Sequence, residues 1–129
     1  MKHDIIDRED VVLLVNSFYY KVQESPILGF IFNDIAKLNW DEHLPRMHSF
    51  WASALFNEQS FNGNPMRKHI ALSKITPMTE VQFNEWLTLF YQTVDEHFIG
   101  RKADEAKARA SNIARNFRRN IEASQESSI

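Results

Sequence analysis

Apolar residues recur along this chain at the spacing of helices that each bury one face, and that period predicts an all-α fold. The first helix follows Asp7, whose carboxylate suits an N-cap, and it carries Glu9 and Asp10 in the first turn near its positive end. Val11, Leu14, Val15, Phe18, Tyr19 and Val22 form its inward stripe, and Pro26 stops it. Ile27 to Phe32 reads as a short connecting helix or turn. A second helix begins near Asn39 to Asp41 and takes His43, Met47, Phe50, Trp51, Ala54 and Leu55 inward. Pro45 lies just past the positions where a missing N–H is free, so the turn holding His43 is expected to be looser than regular helix. Asn64-Pro65 suits the N-cap and first position of a short helix with Met66, His69 and Ile70 on one side. Thr79-x-x-Gln82 can form a capping box for a long helix bearing Phe83, Trp86, Leu87, Phe90, Tyr91, Val94 and Phe98, which Gly100 ends. The last helix has the stripe Ala106, Ala110, Ile113, Ala114, Phe117 and Ile121, whose small residues permit close packing.

Composition narrows this picture to one domain spanning residues 1–129, with a polar tail from about 122 that is expected to fray. The chain has three glycines and four prolines, too few to punctuate a many-stranded sheet. It has no cysteine, which excludes disulfides, thiolate metal sites, a Cys nucleophile and covalent c-type haem attachment. Its 15 Lys+Arg stand against 17 Asp+Glu, and the basic residues near the end are interleaved with acidic ones as on a solvated helix face. Nothing here favours nucleic acid. The charged opening does not read as a signal peptide and no apolar run reaches membrane-spanning length, so a cytoplasmic location is expected and no membrane partner.

The five histidines invite a metal reading, which spacing tests. His43 and His48 are roughly 140° apart around a helix and do not share a metal. The Glu-x-x-His pattern of bundle di-iron sites is missing, since Trp40, Pro45, Met66 and Val94 stand three before the histidines from His43 onward. Dinucleotide, P-loop and nucleophile-elbow motifs are absent as well. What remains is a matter of placement. His69 and His43 each sit on the apolar stripe of a separate helix, where an imidazole is either a hydrogen-bonded core residue or a ligand. Tyr19 and Trp86 also lie on inward stripes, where taken singly each such residue is more often core than site. The ten phenylalanines would suit a flat hydrophobic cofactor without proving one.

Several strings carry a family resemblance: Phe18-Tyr19-Tyr20-Lys21-Val22, Leu28-Gly29-x-Ile31-Phe32, Trp40-x-x-His43-Leu44-Pro45-x-Met47, Phe50-Trp51, Asn62-Gly63-x-Pro65-Met66-x-x-His69 and Trp86-Leu87-x-Leu89-Phe90. In this order and spacing, over residues 11 to 121, they resemble the third class of truncated haemoglobins. The paired-glycine motifs of the other truncated classes are absent. The resemblance implies a globin-like two-over-two helical sandwich around haem b, iron protoporphyrin IX, with His69 as the proximal iron ligand. It places the distal tyrosine, histidine and tryptophan on Tyr19, His43 and Trp86. Met47 would lie over the iron, and Phe32 and Phe50 would pack on the porphyrin. Arg46 and Lys68, by their positions beside His43 and His69, are candidates for the haem propionates or else free surface cations. Two departures stand out: Phe30 replaces the family's usual proline, leaving the turn before Phe32 less rigid, and Phe61 replaces a common tyrosine.

The implied ligands are dioxygen, nitric oxide and carbon monoxide. Donors at Tyr19, Trp86 and His43 would hold dioxygen tightly, which favours oxygen or nitric oxide chemistry, or sensing, over bulk transport. Nitric oxide dioxygenation or peroxidase-like turnover would need an external reductase, because the chain has no flavin or NAD-binding domain. A haem-free helical interaction domain is the competing class, and the colour of the purified protein separates it.

Overall fold

The computed structural model describes residues 2–29, 40–57 and 79–127, with side chains described as far as 119. Its helices among these residues are α1 (Arg8–Glu24), α2 (Trp40–Phe56), α3 (Glu80–His97) and α4 (Arg101–Ser127). No strand is present among them, only a parallel bridge between His3 and Phe98. The chain is all-α.

Local signals set the ends of these helices. Asp7 accepts from the Asp10 N–H at 3.1 Å and opens α1. At the other end the buried Ser25 hydroxyl accepts from the Ile27 and Leu28 N–H groups and donates to Glu85 of α3 at 2.8 Å, so the turn after α1 is tied to a neighbouring helix. Gln82 Oε1 accepts from both the backbone N–H and the hydroxyl of Thr79 at the start of α3. The helix α4 follows Gly100, which has φ +145° and no side chain with which to cap. Asp4 supplies the cap instead, accepting from the Lys102 N–H at 2.9 Å and the Ala103 N–H at 2.8 Å.

In one respect α2 departs from its expected form. It runs continuously from Trp40 through Pro45 to Phe56, with no break at the turn holding His43. Proline withdraws only the N–H that would reach the Asp41 carbonyl, near the start of the helix, and the ring is exposed, so the interruption costs one bond rather than a turn. The helix α4 likewise continues to Ser127, through most of the polar stretch expected to fray.

Packing follows the stripes. The helix α1 lies against α2 and α3, α3 lies against α4, and α2 meets α4. The fully buried residues Val11, Leu14, Val15, Phe18 and Val22 of α1 meet Trp51, Ala52 and Leu55 of α2 and Phe90 and Val94 of α3 in one core. Ala103, Ala106, Ala110 and Ala114 make the buried face of α4, where the missing bulk lets the helices approach closely. Ala54, expected inward, is half-buried, because the buried face of α2 turns on Trp51, Ala52 and Leu55.

Candidate functional site

Beside that buried face of α2 runs a second line at helical spacing, His43, Met47 and Phe50, and all three are half-buried. Tyr19 of α1 reaches the head of this line. Its ring stands edge-on to His43, with centroids 5.2 Å apart and planes at 84°. Burial alone pushes the Tyr19 phenol well above its ordinary value of 10.0, so the side chain keeps its proton and remains a donor.

Trp86 of α3 comes to the same neighbourhood through Phe18. That ring lies 4.9 Å from Tyr19 on one side and 5.5 Å from Trp86 on the other, at 61° and 86°. Trp86 is stacked at 5.8 Å on Phe90, which is stacked in turn at 4.8 Å on Trp51 of α2. Three helices therefore fix the tryptophan. Tyr19, His43 and Trp86, singled out on separate inward stripes, lie around one aromatic cluster.

His43 Nε2 is buried, and no hydrogen-bond partner for that atom lies among the described residues. The ring itself packs edge-on against both Tyr19 and Trp40. His48 faces another way, its Nε2 2.8 Å from Asn16 Oδ1 of α1. Burial first, and then the nearby Arg8 guanidinium, hold its imidazole below the ordinary value. It joins α1 to α2, as does the Arg8 guanidinium donating to Ser49 Oγ at 2.9 Å. Arg46 is exposed, one turn past His43. His69, Phe32 and Lys68, and the departures Phe30 and Phe61, lie outside the described residues. No group of three or more His, Asp or Glu side chains that could hold a metal occurs among the described residues.

Sequence reasoning gave Trp40 no role. Its ring lies 5.6 Å from Tyr19 and 5.5 Å from His43. The signal was present in the Trp40-x-x-His43 spacing, which puts both rings on one helix face a turn apart.

These residues suit a haem pocket. A phenol kept neutral by burial and a buried imidazole nitrogen provide polar groups inside an otherwise aromatic wall, and Met47 and Phe50 continue that wall as an apolar surface. No helix among the described residues is long and apolar enough to cross a membrane.

Comparison with known proteins gives a consistent picture. The chain is 32% identical over 120 residues to the group 3 truncated hemoglobin ctb of Campylobacter jejuni, an alignment covering 91% of this chain and 92% of that protein. Its structure is similar to the crystal structure of a group III truncated hemoglobin from Campylobacter jejuni, with a TM-score of 0.82, 32% identity, and coverage of 94% of this chain and 95% of that one. No family model matches the sequence.

Proposed function

The chain belongs to the group 3 truncated haemoglobins, and from that premise we propose that it holds one haem b noncovalently and binds dioxygen and related diatomic ligands beside Tyr19, His43 and Trp86. The observation that carries the reading is the buried, proton-retaining Tyr19 set against the His43 ring across the α1–α2 interface.

Haem, when bound, would supply an iron able to bind and polarise a diatomic ligand. His69 would hold that iron through a neutral imidazole nitrogen. Met47, Phe50 and Phe32 would cover the porphyrin faces and exclude water, and Arg46 and Lys68 would neutralise the propionates. Tyr19 donates from its phenol and Trp86 from its indole N–H, while His43 donates in the tautomer that carries the proton on its buried nitrogen. A hydrogen bond to a charged group is worth roughly 1.5–3 kcal/mol, so two such donors slow ligand escape strongly. Slow escape favours oxygen or nitric oxide chemistry, or sensing, over bulk transport.

Visible spectra of the purified protein with one equivalent of haemin, in the ferric, ferrous and carbon monoxide-bound states, test the reading. A proximal-histidine spectrum is expected. His69→Gly is expected to lose it and to recover it when imidazole is supplied. A protein that stays colourless with added haemin overturns the proposal, and an unchanged His69→Gly spectrum moves the iron to another ligand. Stopped-flow mixing of the oxygenated protein with nitric oxide, followed by a test of reduction by an external reductase, separates turnover from binding.

A further inference from the structure

Trp40, His43 and Tyr19 form a closed triangle of rings. The centroids are 5.2 Å apart for Tyr19–His43, 5.5 Å for Trp40–His43 and 5.6 Å for Tyr19–Trp40, and the planes meet at 84°, 79° and 56°. Two of these contacts are nearly perpendicular, the arrangement in which the positive edge of one ring meets the negative face of another. We propose that Trp40 is a positioning residue for the polar side of the pocket, its ring fixing how the Tyr19 and His43 side chains are presented; this rests on the haem-pocket reading above.

Three observations carry it. First, the buried Tyr19 ring meets Phe18, His43 and Trp40 at centroid distances of 4.9, 5.2 and 5.6 Å, so packing against rings on α1 and α2 orients this side chain. Second, Trp40 and His43 are three residues apart on one helix face, and the near-equal sides of the triangle put the indole and the Tyr19 ring on adjacent sides of the imidazole, packed against each other as well as against it. The space that the indole fills beside both rings is then closed to other rotamers of Tyr19 and His43. Third, Pro45 cannot donate to the Asp41 carbonyl, so the turn bearing both aromatic side chains lacks one bond of its ladder and depends more on side-chain packing.

The consequence for ligands is selective. A pocket whose polar groups are fixed by packing keeps one arrangement around whatever enters, whereas loss of the indole releases both side chains at once. Trp40 itself need not touch the ligand for this to hold.

Two measurements test it. In proton NMR of the unsubstituted protein, both haem-free and as the diamagnetic ferrous carbon monoxide form, cross-relaxation is expected between Trp40 indole and His43 imidazole protons. Its absence from both forms overturns the proposal without any variant being made. In the infrared spectrum of the carbon monoxide form, the C–O stretching band reports polar groups near the ligand. Trp40→Leu is expected to split or shift that band and to raise the carbon monoxide association rate several-fold, with the iron–histidine stretch unchanged. Trp40→Phe, which keeps an aromatic edge, is expected to restore the parent band. A Trp40→Leu protein with the parent band and parent association rate refutes the positioning role. Should that variant fail to fold, the cross-relaxation decides. A parent protein that takes up no haemin defeats the functional reading, and the haem-free NMR then still decides whether Trp40 orients His43.

Discussion

Tyr19 and Tyr20 are neighbours of identical chemistry, yet the first is 6% exposed and the second 68%. Helical geometry alone separates them, since one step along α1 turns the side chain by about 100° out of the stripe shared by Val15, Phe18 and Val22. The buried member is the one that can donate into a pocket, and Trp86 stands beyond Phe18 from it. Tyr19→Phe and Trp86→Phe are each expected to accelerate dioxygen release about tenfold, the scale of one charge-assisted hydrogen bond. Carbon monoxide, less polar when bound, should leave at close to the parent rate; if both ligands speed up equally, the Trp86 change has opened a void rather than removed a donor. Additive free energies in the double variant would mark independent donors, and non-additive ones a coupled pair. Burial of the phenol also has a pH signature. Its folded value is raised, so its contribution to stability is complete below the ordinary value of 10.0 and is lost as pH rises beyond it. Chemical denaturation of the parent across that range, compared with Tyr19→Phe, should show the variant losing less stability.

Among the elements, the start of α4 offers the clearest lesson in what a sequence conceals. Gly100 was legible as a helix boundary, because it follows a long apolar stripe and is one of three glycines in the chain. That Asp4 would cap the next helix was not legible, since the hydrogen bonds cross 98 and 99 positions and no local motif joins them. The same limit applies to the Ser25–Glu85 bond and to the stacking of Trp51 on Phe90, which joins α2 to α3. Stripe membership placed Tyr19, His43 and Trp86 near the interior but could not give their contacts, and Trp40 went unassigned for that reason. At Asp4, burial pushes the carboxyl up, and hydrogen bonds from the Lys102, Ala103 and Ile5 N–H groups outweigh it, leaving the value below the ordinary 3.8. A depressed folded value means that the stabilisation is present above 3.8 and is lost as pH falls through the folded value. Asp4→Ala should cost about 1 kcal/mol, read as a Tm lower by about 4 °C at neutral pH, and the deficit should shrink in acid. Asp4→Asn, which keeps an acceptor without the charge, should lose the acid dependence. Gly100→Ala should be worse than Asp4→Ala. Its Cβ would stand 2.5 Å from the Asp4 Cγ, and the φ of +145° is one that side-chain-bearing residues rarely adopt.

For the whole molecule, the proposed haem is the remaining source of stability. A ligand bound only by the folded state adds about 2.7 kcal/mol when present at a hundred times its dissociation constant, so thermal melts with haemin should end well above those without it. Equal midpoints in the two conditions would mean that the folded chain has no site for it. The bonds from Asp4 to the start of α4 carry a further consequence, one of timing during synthesis. A chain made from its N-terminus presents Asp4 before the amides that it must reach, which belong to Lys102 and Ala103, 98 and 99 positions further on. The helices α1, α2 and α3 can leave the ribosome and begin to pack while the opening segment has nothing to fasten to. The latch closes only after α1, α2 and α3 have all been made, and it closes on the helix that follows them.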